Sequence, residues 1–306
     1  MGKIALVFAG QGAQHTGMGQ EIYISSAKAA DLFNGADKVR PGTVSQCFKA
    51  DAKELSETKN TQPCVYTVDL AMAAALEEAG IKADMVAGYS LGELAALAYA
   101  EAFSYEEGLR LVSKRGELMQ KTSSKRSTGM MAVLKLDDGV VEELCSKYKE
   151  VYPVNFNCRG QVSVAGDNEE LDSFKEDVKD RGGLIRILEV SGGFHSPFMS
   201  EAAEEFGKVL EDAEIGTPKI PVYSNWTAMP YKGDVRPYLQ NQITNPIRWK
   251  IAIENMIAAG ADIFIEVGPG TALTKMITRI SKDIRMFNVK DLESLELTLK
   301  GVEENA

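Results

Sequence analysis

Within its first third, the chain reads Asp84-Met85-Val86-Ala87-Gly88-Tyr89-Ser90-Leu91-Gly92-Glu93. The apolar residues up to Ala87 predict a short buried strand, and the alanine-rich stretch 93–102 predicts a helix. Between them lies the pattern Gly-x-Ser-x-Gly, typical of a strand that turns sharply into a helix with glycines on both sides of a serine. This pattern predicts an α/β unit that exposes the hydroxyl of Ser90 at the start of a helix.

The hydroxyl of Ser90 has two interpretations. Free backbone N–H groups at a helix N-terminus can stabilise an oxyanion, so the serine can act as a nucleophile. A second backbone amide could come from Gly10-Gln11-Gly12, a turn that follows a strand predicted to end at the same sheet edge. A serine in this position can also simply cap the helix. A nucleophilic serine needs a general base, most often a histidine.

Strands and helices alternate on both sides of this turn. The predicted elements are a strand at 3–9 that leads into the glycine-rich turn 10–14, a helix at 63–79 that starts at Pro63, a helix from the Ser104 cap to Met119, a helix that starts at Ser196-Pro197, and strands at 220–224 and 263–267. This alternation predicts a mainly parallel sheet.

Residues 128–190 follow a different pattern. It predicts a strand at 130–136, a helix at 138–147, strands at 151–156 and 161–165, a helix at 169–181 and a strand at 184–190. The order β-α-β-β-α-β is that of ferredoxin-like units. We therefore predict an inserted ferredoxin-like small subdomain at 127–195 and a discontinuous large subdomain formed by 1–126 and 196–306.

The composition is that of an ordinary globular protein, with 306 residues, 44% hydrophobic and 25% charged. The 34 basic and 44 acidic side chains give a net charge of −10, which disfavours a nucleic-acid partner. The longest apolar runs stop far short of the roughly 20 residues of a membrane helix, and the N-terminus lacks a signal-peptide pattern. We therefore expect a cytoplasmic protein with no nucleic-acid or membrane partner.

Metal and disulfide chemistry find little support in the sequence. The four cysteines, Cys47, Cys64, Cys145 and Cys158, show no C-x-x-C spacing and are expected to be reduced thiols. With two histidines and no cluster at metal-ligand spacing, we expect no metal site.

The same two histidines are the candidates for the base. His15 lies in a polar loop, which favours a solvated residue. His195 lies just before a predicted helix, where the inserted subdomain returns to the large one, and a cleft between subdomains is a common ligand site. A core or capping role for His195 is the alternative, but a serine that needs a base favours the functional interpretation.

Arg115 lies on the apolar stripe of its predicted helix, with Leu111, Val112, Leu118 and Met119 three or four residues away on either side. The guanidinium therefore projects from an apolar face, where a charge needs a partner. It can snorkel to water or pair with a protein carboxylate. The functional alternative is a bidentate clamp on a substrate carboxylate.

Five segments of the chain together resemble the malonyl-CoA:acyl carrier protein transacylase family. They are Phe8-Ala9-Gly10-Gln11-Gly12-Ala13-Gln14, Gly88-Tyr89-Ser90-Leu91-Gly92-Glu93, Lys114-Arg115-Gly116, Gly193-Phe194-His195-Ser196 and Glu266-Val267-Gly268-Pro269-Gly270. The resemblance implies a hydrolase-like α/β core with an inserted ferredoxin-like subdomain and an active site in the cleft between them. It also implies that the serine takes malonyl from malonyl-CoA and passes it to the phosphopantetheine thiol of acyl carrier protein, with no cofactor of its own.

The resemblance further implies roles for individual residues. Ser90 is the nucleophile, His195 the general base and acid, Arg115 the ligand of the malonyl carboxylate, and the amides of Gln11 and Leu91 the oxyanion hole. A backbone carbonyl orients the histidine in this family, and we expect it here from residues 245–249. Matching positions that line the site are Gln62 and Gln161. A monomer is expected, and an acidic carrier protein would need a basic rim, for which the candidates are Lys121, Lys125, Arg126, Arg279 and Lys282.

Tyr89 departs from the family pattern, which usually has histidine beside the nucleophile, and this bears on acyl preference. Three alternatives stay open from the sequence. They are a serine esterase or thioesterase that uses the same turn, a polyketide-pathway acyltransferase with a different acyl-CoA preference, and an inactive module that only docks carrier proteins.

Overall fold

The computed structural model describes residues 2–304. The strands within this range are β1 (Lys3–Phe8), β2 (Met85–Gly88), β3 (Thr128–Leu134), β4 (Val151–Cys158), β5 (Gln161–Asp167), β6 (Leu184–Leu188), β7 (Val222–Tyr223), β8 (Ala261–Val267) and β9 (Arg285–Val289). The helices are α1 (Gln20–Ser25), α2 (Ala27–Val39), α3 (Thr43–Lys49), α4 (Ala52–Ser56), α5 (Thr58–Glu78), α6 (Gly92–Tyr99), α7 (Tyr105–Ser123), α8 (Asp138–Cys145), α9 (Asn168–Asp180), α10 (Ser200–Glu211), α11 (Arg236–Gln242), α12 (Trp249–Ala258), α13 (Ala272–Ile280) and α14 (Leu292–Glu303).

The central strand β1 belongs to a five-stranded sheet in the order β7-β2-β1-β8-β9, in which every pairing is parallel. Its side chains alternate between two cores, because Leu6 and Phe8 pack on one face and Ala5 and Val7 on the other. A strand buried on both faces reads as a continuous apolar run, as this one does. Phe8 lies opposite Gly88 in register, so the loops after β1 and β2 leave the sheet side by side.

The second sheet is antiparallel, in the order β4-β5-β3-β6, and is formed from the β-α-β-β-α-β succession that the sequence predicts. Val133, Val164 and Phe174 belong to its own apolar core. The α/β fold with a mainly parallel sheet and a second small sheet is confirmed. The subdomain boundaries at 127–195, 1–126 and 196–306 stay a prediction, and residues 1, 305 and 306 lie outside the described range.

One predicted helix start is wrong. Helix α5 begins at Thr58, so Pro63 lies inside the helix rather than at its first position. Residues 60–73 are all buried, and this packing outweighs the single backbone hydrogen bond that a proline removes. The predicted start at Ser196 is present, with Ser196 as the N-cap and Pro197 at the first position, but the first turn is a 3₁₀ helix (Pro197–Met199) that leads into α10 at Ser200.

No described helix combines the length and the hydrophobicity that a membrane span requires. All four cysteines are buried free thiols.

Candidate active site

Two close backbone approaches hold the turn at Ser90. The serine has φ 55°, in the left-handed region that is strained for a residue with a side chain. A Cβ atom on Gly88 would lie 1.9 Å from the carbonyl carbon of Gly92, and a Cβ atom on Gly92 would lie 2.4 Å from the carbonyl oxygen of Phe8. Both positions therefore require glycine, and the turn presents Ser90 at the carboxyl edge of the parallel sheet.

Two backbone N–H groups near this turn, those of Gln11 and Leu91, have no hydrogen-bond partner within residues 2–304. The N–H of Ser90 itself donates to Oδ1 of Asn225 at 2.7 Å. Gln11 follows Gly10, whose backbone packs so tightly on Tyr89 that a Cβ atom there would lie 2.7 Å from the Tyr89 carbonyl oxygen. The Gln11 and Leu91 N–H groups are therefore available to an anionic oxygen beside Ser90.

His195 lies in direct contact with the serine, its Nε2 atom 2.8 Å from Oγ of Ser90. Its Nδ1 atom lies 2.8 Å from the backbone carbonyl oxygen of Gln242, so Nδ1 carries the hydrogen and Nε2 accepts the serine proton. The expectation that residues 245–249 supply this carbonyl is wrong. Helix α11 ends at Gln242, and the last carbonyls of a helix have no partner within it.

Burial keeps His195 uncharged. Desolvation, aided by the positive charge of Arg115, lowers the pKa of His195 to about 3, although the bond to Gln242 opposes the change. The imidazole is therefore neutral and able to accept a proton across the neutral pH range. His15, by contrast, is exposed, and its only side-chain hydrogen bond among the described residues joins Nδ1 to the carbonyl of Ala13, outside the site.

Arg115 lies on α7 with no exposed surface. Its Nη1 atom donates to Oε1 of Gln62 at 2.8 Å, and its Nη2 atom donates to Oε1 of Gln242 at 2.8 Å and to Oγ of Ser90 at 3.2 Å. All three acceptors are neutral, so the buried charge has no direct ionic partner in the described part of the chain. Desolvation lowers the pKa of Arg115 to about 10, although the negative charge of Glu93 opposes this decrease. The guanidinium therefore stays charged at neutral pH.

The structure brings most of the predicted site residues together, with one exception. Gln62 is buried and contacts Arg115. Gln161 is the first residue of β5, where its Oε1 atom accepts from Nη1 of Arg279 at 2.9 Å. No hydrogen bond among residues 2–304 joins it to Ser90 or His195, and its role at the site stays a prediction.

The sequence patterns did not indicate three residues that organise the site, Gln242, Asn225 and Glu93. Asn225 clamps the serine turn, since its Nδ2 atom also donates to the Gly88 carbonyl at 2.6 Å. Glu93 is fully buried and accepts hydrogen bonds from both Asn225 and Gln242. One signal was available, because Glu93 is the only charged residue in the sequence of α6, Gly-Glu-Leu-Ala-Ala-Leu-Ala-Tyr.

Tyr89 connects the serine turn with the small sheet. Its hydroxyl donates to Oδ1 of Asn157 at 2.6 Å and accepts from Nδ2 of Asn155 at 2.7 Å, and both asparagines lie on β4. Its ring packs edge-on against Trp249 with the centroids 5.4 Å apart. The residue that departs from the family pattern thus sets the distance between the nucleophile turn and β4.

No three His, Cys, Asp or Glu side chains of residues 2–304 come together in a way that could hold a metal ion. The polar cluster that the structure does assemble is a serine, a histidine and an arginine around one hydroxyl group. This cluster sits at a strand-turn-helix bend beside two free backbone amides.

Comparison with known proteins identifies the class to which this arrangement belongs. Residues 5–302 match the acyl transferase domain family, so the chain belongs to that family and is an acyltransferase.

The particular relatives are malonyl CoA-acyl carrier protein transacylases, which confirms the resemblance seen in the five sequence segments. The Bacillus subtilis (strain 168) protein of that name is 36% identical, over 99% of this chain and 98% of the relative. The Clostridium perfringens crystal structure superimposes with a TM-score of 0.96 at 34% identity, over 99% of this chain and 98% of that one. A malonyl-transacylase in complex with its type II PKS acyl-carrier protein superimposes with a TM-score of 0.94 at 31% identity, over 98% and 99% of the two chains.

Proposed function

We propose that this acyltransferase moves a malonyl group from malonyl-CoA to the phosphopantetheine thiol of an acyl carrier protein, through a malonyl ester on Ser90. The observation that carries the proposal is the position of Ser90 Oγ, 2.8 Å from a neutral imidazole and 3.2 Å from a buried guanidinium. A base beside a hydroxyl can activate it for attack on a thioester. A buried cation beside the same hydroxyl selects an acyl group that carries its own negative charge.

In the first half-reaction, His195 Nε2 takes the proton of Ser90 as Oγ attacks the thioester carbonyl. The N–H groups of Gln11 and Leu91 stabilise the resulting oxyanion. The C–S bond then breaks, and His195 returns the proton to the sulfur of coenzyme A. Throughout this step, the bond from Nδ1 to the Gln242 carbonyl holds the imidazolium in place.

The second half-reaction reverses the roles. The thiol of phosphopantetheine gives its proton to His195 and attacks the malonyl ester, and Ser90 leaves with that proton. The protein needs no resident cofactor for these steps, because coenzyme A arrives as the substrate and the phosphopantetheine arrives on the carrier. One chain supplies every residue invoked, which fits a monomeric enzyme.

Arg115 gives the site its preference for malonyl. Within residues 2–304 the charged, fully buried guanidinium bonds only to neutral oxygens, and its Nε atom has no hydrogen-bond partner. A carboxylate that binds beside those oxygens therefore gains charge-assisted hydrogen bonds. The bound carboxylate also shuts water out of the cleft, which protects the ester from hydrolysis. An esterase for neutral substrates would have no use for this cation.

Docking of an acidic carrier protein depends on basic side chains around the cleft. Two of the candidates are already paired, Lys125 with Glu201 and Arg126 with Glu150. Among residues 2–304, Arg279 donates only to neutral acceptors, the Gln161 side chain and the Arg159 carbonyl. We therefore propose that Arg279 contributes more to carrier binding than Lys125 and Arg126.

Intact-mass spectrometry tests the proposed reaction. A brief incubation with malonyl-CoA should add one malonyl group to the wild-type protein and none to Ser90→Ala. Addition of holo carrier protein should then move the group to the carrier. A wild-type protein that stays unmodified contradicts the proposal, and free malonate released equally fast with and without carrier would indicate a thioesterase.

A further inference from the structure

Glu93 is a buried carboxylate that the proposed reaction leaves without a role. It is the second residue of α6 and has no exposed surface. Its Oε1 atom accepts hydrogen bonds from the Tyr231 hydroxyl at 2.5 Å and from the backbone N–H of Asn225 at 3.1 Å. Its Oε2 atom accepts from Nε2 of Gln242 at 2.6 Å. The carboxylate therefore accepts on both of its oxygens and donates to nothing.

Gln242 connects this carboxylate with all three residues of the site. Its Nε2 atom donates to Glu93 and to the backbone carbonyl of Ser90, and its Oε1 atom accepts from Nη2 of Arg115. Its backbone carbonyl accepts from Nδ1 of His195. A reversed side-chain amide would put an oxygen against two acceptors and an NH₂ group against the guanidinium. One orientation therefore satisfies every contact.

An ionised carboxylate accepts from all three of these neighbours, which a glutamine side chain cannot do. Glutamine at position 93 would have to present an NH₂ group either to the Asn225 N–H or to the Gln242 NH₂. The Asn225 N–H belongs to the backbone and cannot turn, whereas the Gln242 side-chain amide can. A glutamine NH₂ group on the Gln242 side would therefore favour reversal of the Gln242 amide, which removes the acceptor of Arg115 and the donor to the Ser90 carbonyl.

We propose that Glu93 is a positioning residue for malonyl transfer, which holds the Gln242 amide in the orientation that presents Arg115 to the substrate carboxylate. This inference rests on the proposed function at Ser90 and extends it. Glu93 touches neither substrate nor reacting atoms and acts through Gln242.

Protonation of Glu93 removes the negative charge of the carboxylate, so the hydrogen bond that Gln242 donates to it becomes weaker. Desolvation raises the pKa of Glu93 to about 7, although its bonds to Tyr231 and Gln242 and the charge of Arg115 all oppose the rise. Arg115, with a pKa of about 10, and His195, with a pKa of about 3, both keep their charge state through this range. Malonyl transfer should therefore weaken as the pH falls through about 7, when the carboxyl gains its proton.

The test compares kcat/KM for Ser90 acylation by malonyl-CoA and by acetyl-CoA, from about pH 5.5 to about pH 8.5. At the high end, Glu93→Gln should lower the malonyl value by about 10- to 100-fold, the loss expected for one hydrogen bond to a charged group, and the acetyl value by less. The variant should also lose the acid limb of the pH profile, which is the fall in kcat/KM for malonyl-CoA that the wild-type enzyme shows as the pH decreases. Glu117→Gln, an exposed glutamate on α7 that pairs with Lys114, is the matched control and should behave as wild type.

A Glu93→Gln enzyme with the wild-type acid limb, or with unchanged malonyl preference, would overturn the proposal. Tyr231→Phe provides a second test if Glu93→Gln does not fold. It removes one donor that lowers the pKa of Glu93, so the midpoint of the acid limb should move to higher pH. An unchanged midpoint of the acid limb in Tyr231→Phe would also overturn the proposal. If the proposed function itself were wrong, the result would differ from both of these outcomes, because Ser90 of the wild-type protein would then acquire no malonyl group.

Discussion

Replacement of Arg115 by methionine should remove the preference for malonyl while the turn at Ser90 stays intact. Methionine fills similar space without a charge. A malonyl carboxylate on this guanidinium would make two charge-assisted hydrogen bonds, each contributing about 1.5–3 kcal/mol. The combined loss of about 3–6 kcal/mol corresponds to a fall of about 10²- to 10⁴-fold in kcat/KM for malonyl-CoA.

Acetyl-CoA supplies the internal control for this variant. The substitution also leaves the side-chain oxygens of Gln62 and Gln242 without their Arg115 donor, which lowers stability and disturbs the site for any acyl group. Acetyl transfer reports that general damage, because acetyl has no second carboxylate. The quantity to measure is therefore the ratio of kcat/KM for malonyl-CoA to that for acetyl-CoA. Equal losses for the two substrates would refute the assignment of Arg115 as the carboxylate ligand.

Three further outcomes follow from the same geometry. His195→Ala should slow Ser90 acylation by at least ~10²-fold in stopped-flow measurements, and a rate within a few fold of wild type would place the base elsewhere. Gly92→Ala should yield no cooperatively folded protein by circular dichroism, since its Cβ atom would lie 2.4 Å from the Phe8 carbonyl oxygen; a normal melting curve would contradict the tight turn. Tyr89→Phe should lower the free energy of unfolding in urea by about 1–3 kcal/mol, because Asn157 loses a buried hydrogen-bond donor, whereas an unchanged midpoint would show that this contact adds nothing.

Local sequence patterns predict much of the fold. The strand-turn-helix at Ser90 follows from Gly88 and Gly92, because the close approaches there exclude any side chain. The burial of Arg115 follows from apolar neighbours three and four residues away. Helices α1 and α3 are too short to be stable alone and have no side-chain cap, so local sequence does not predict them.

The chemistry of the site depends on contacts that no local pattern encodes. Ser90 and His195 are separated by 105 positions in the chain, and Gln242 donates to the Ser90 carbonyl across 152 positions. In the sequence, a glutamine and an asparagine look like ordinary surface residues, because their burial depends on which elements pack over them. Sequence alone thus determined the nucleophile turn, because backbone sterics act over a few residues, and it indicated the class of acyltransferase through the resemblance of five segments to a known family. Only the tertiary structure decided which carbonyl orients the histidine and which amide holds the arginine, because hydrogen-bond partners are selected by distance in space.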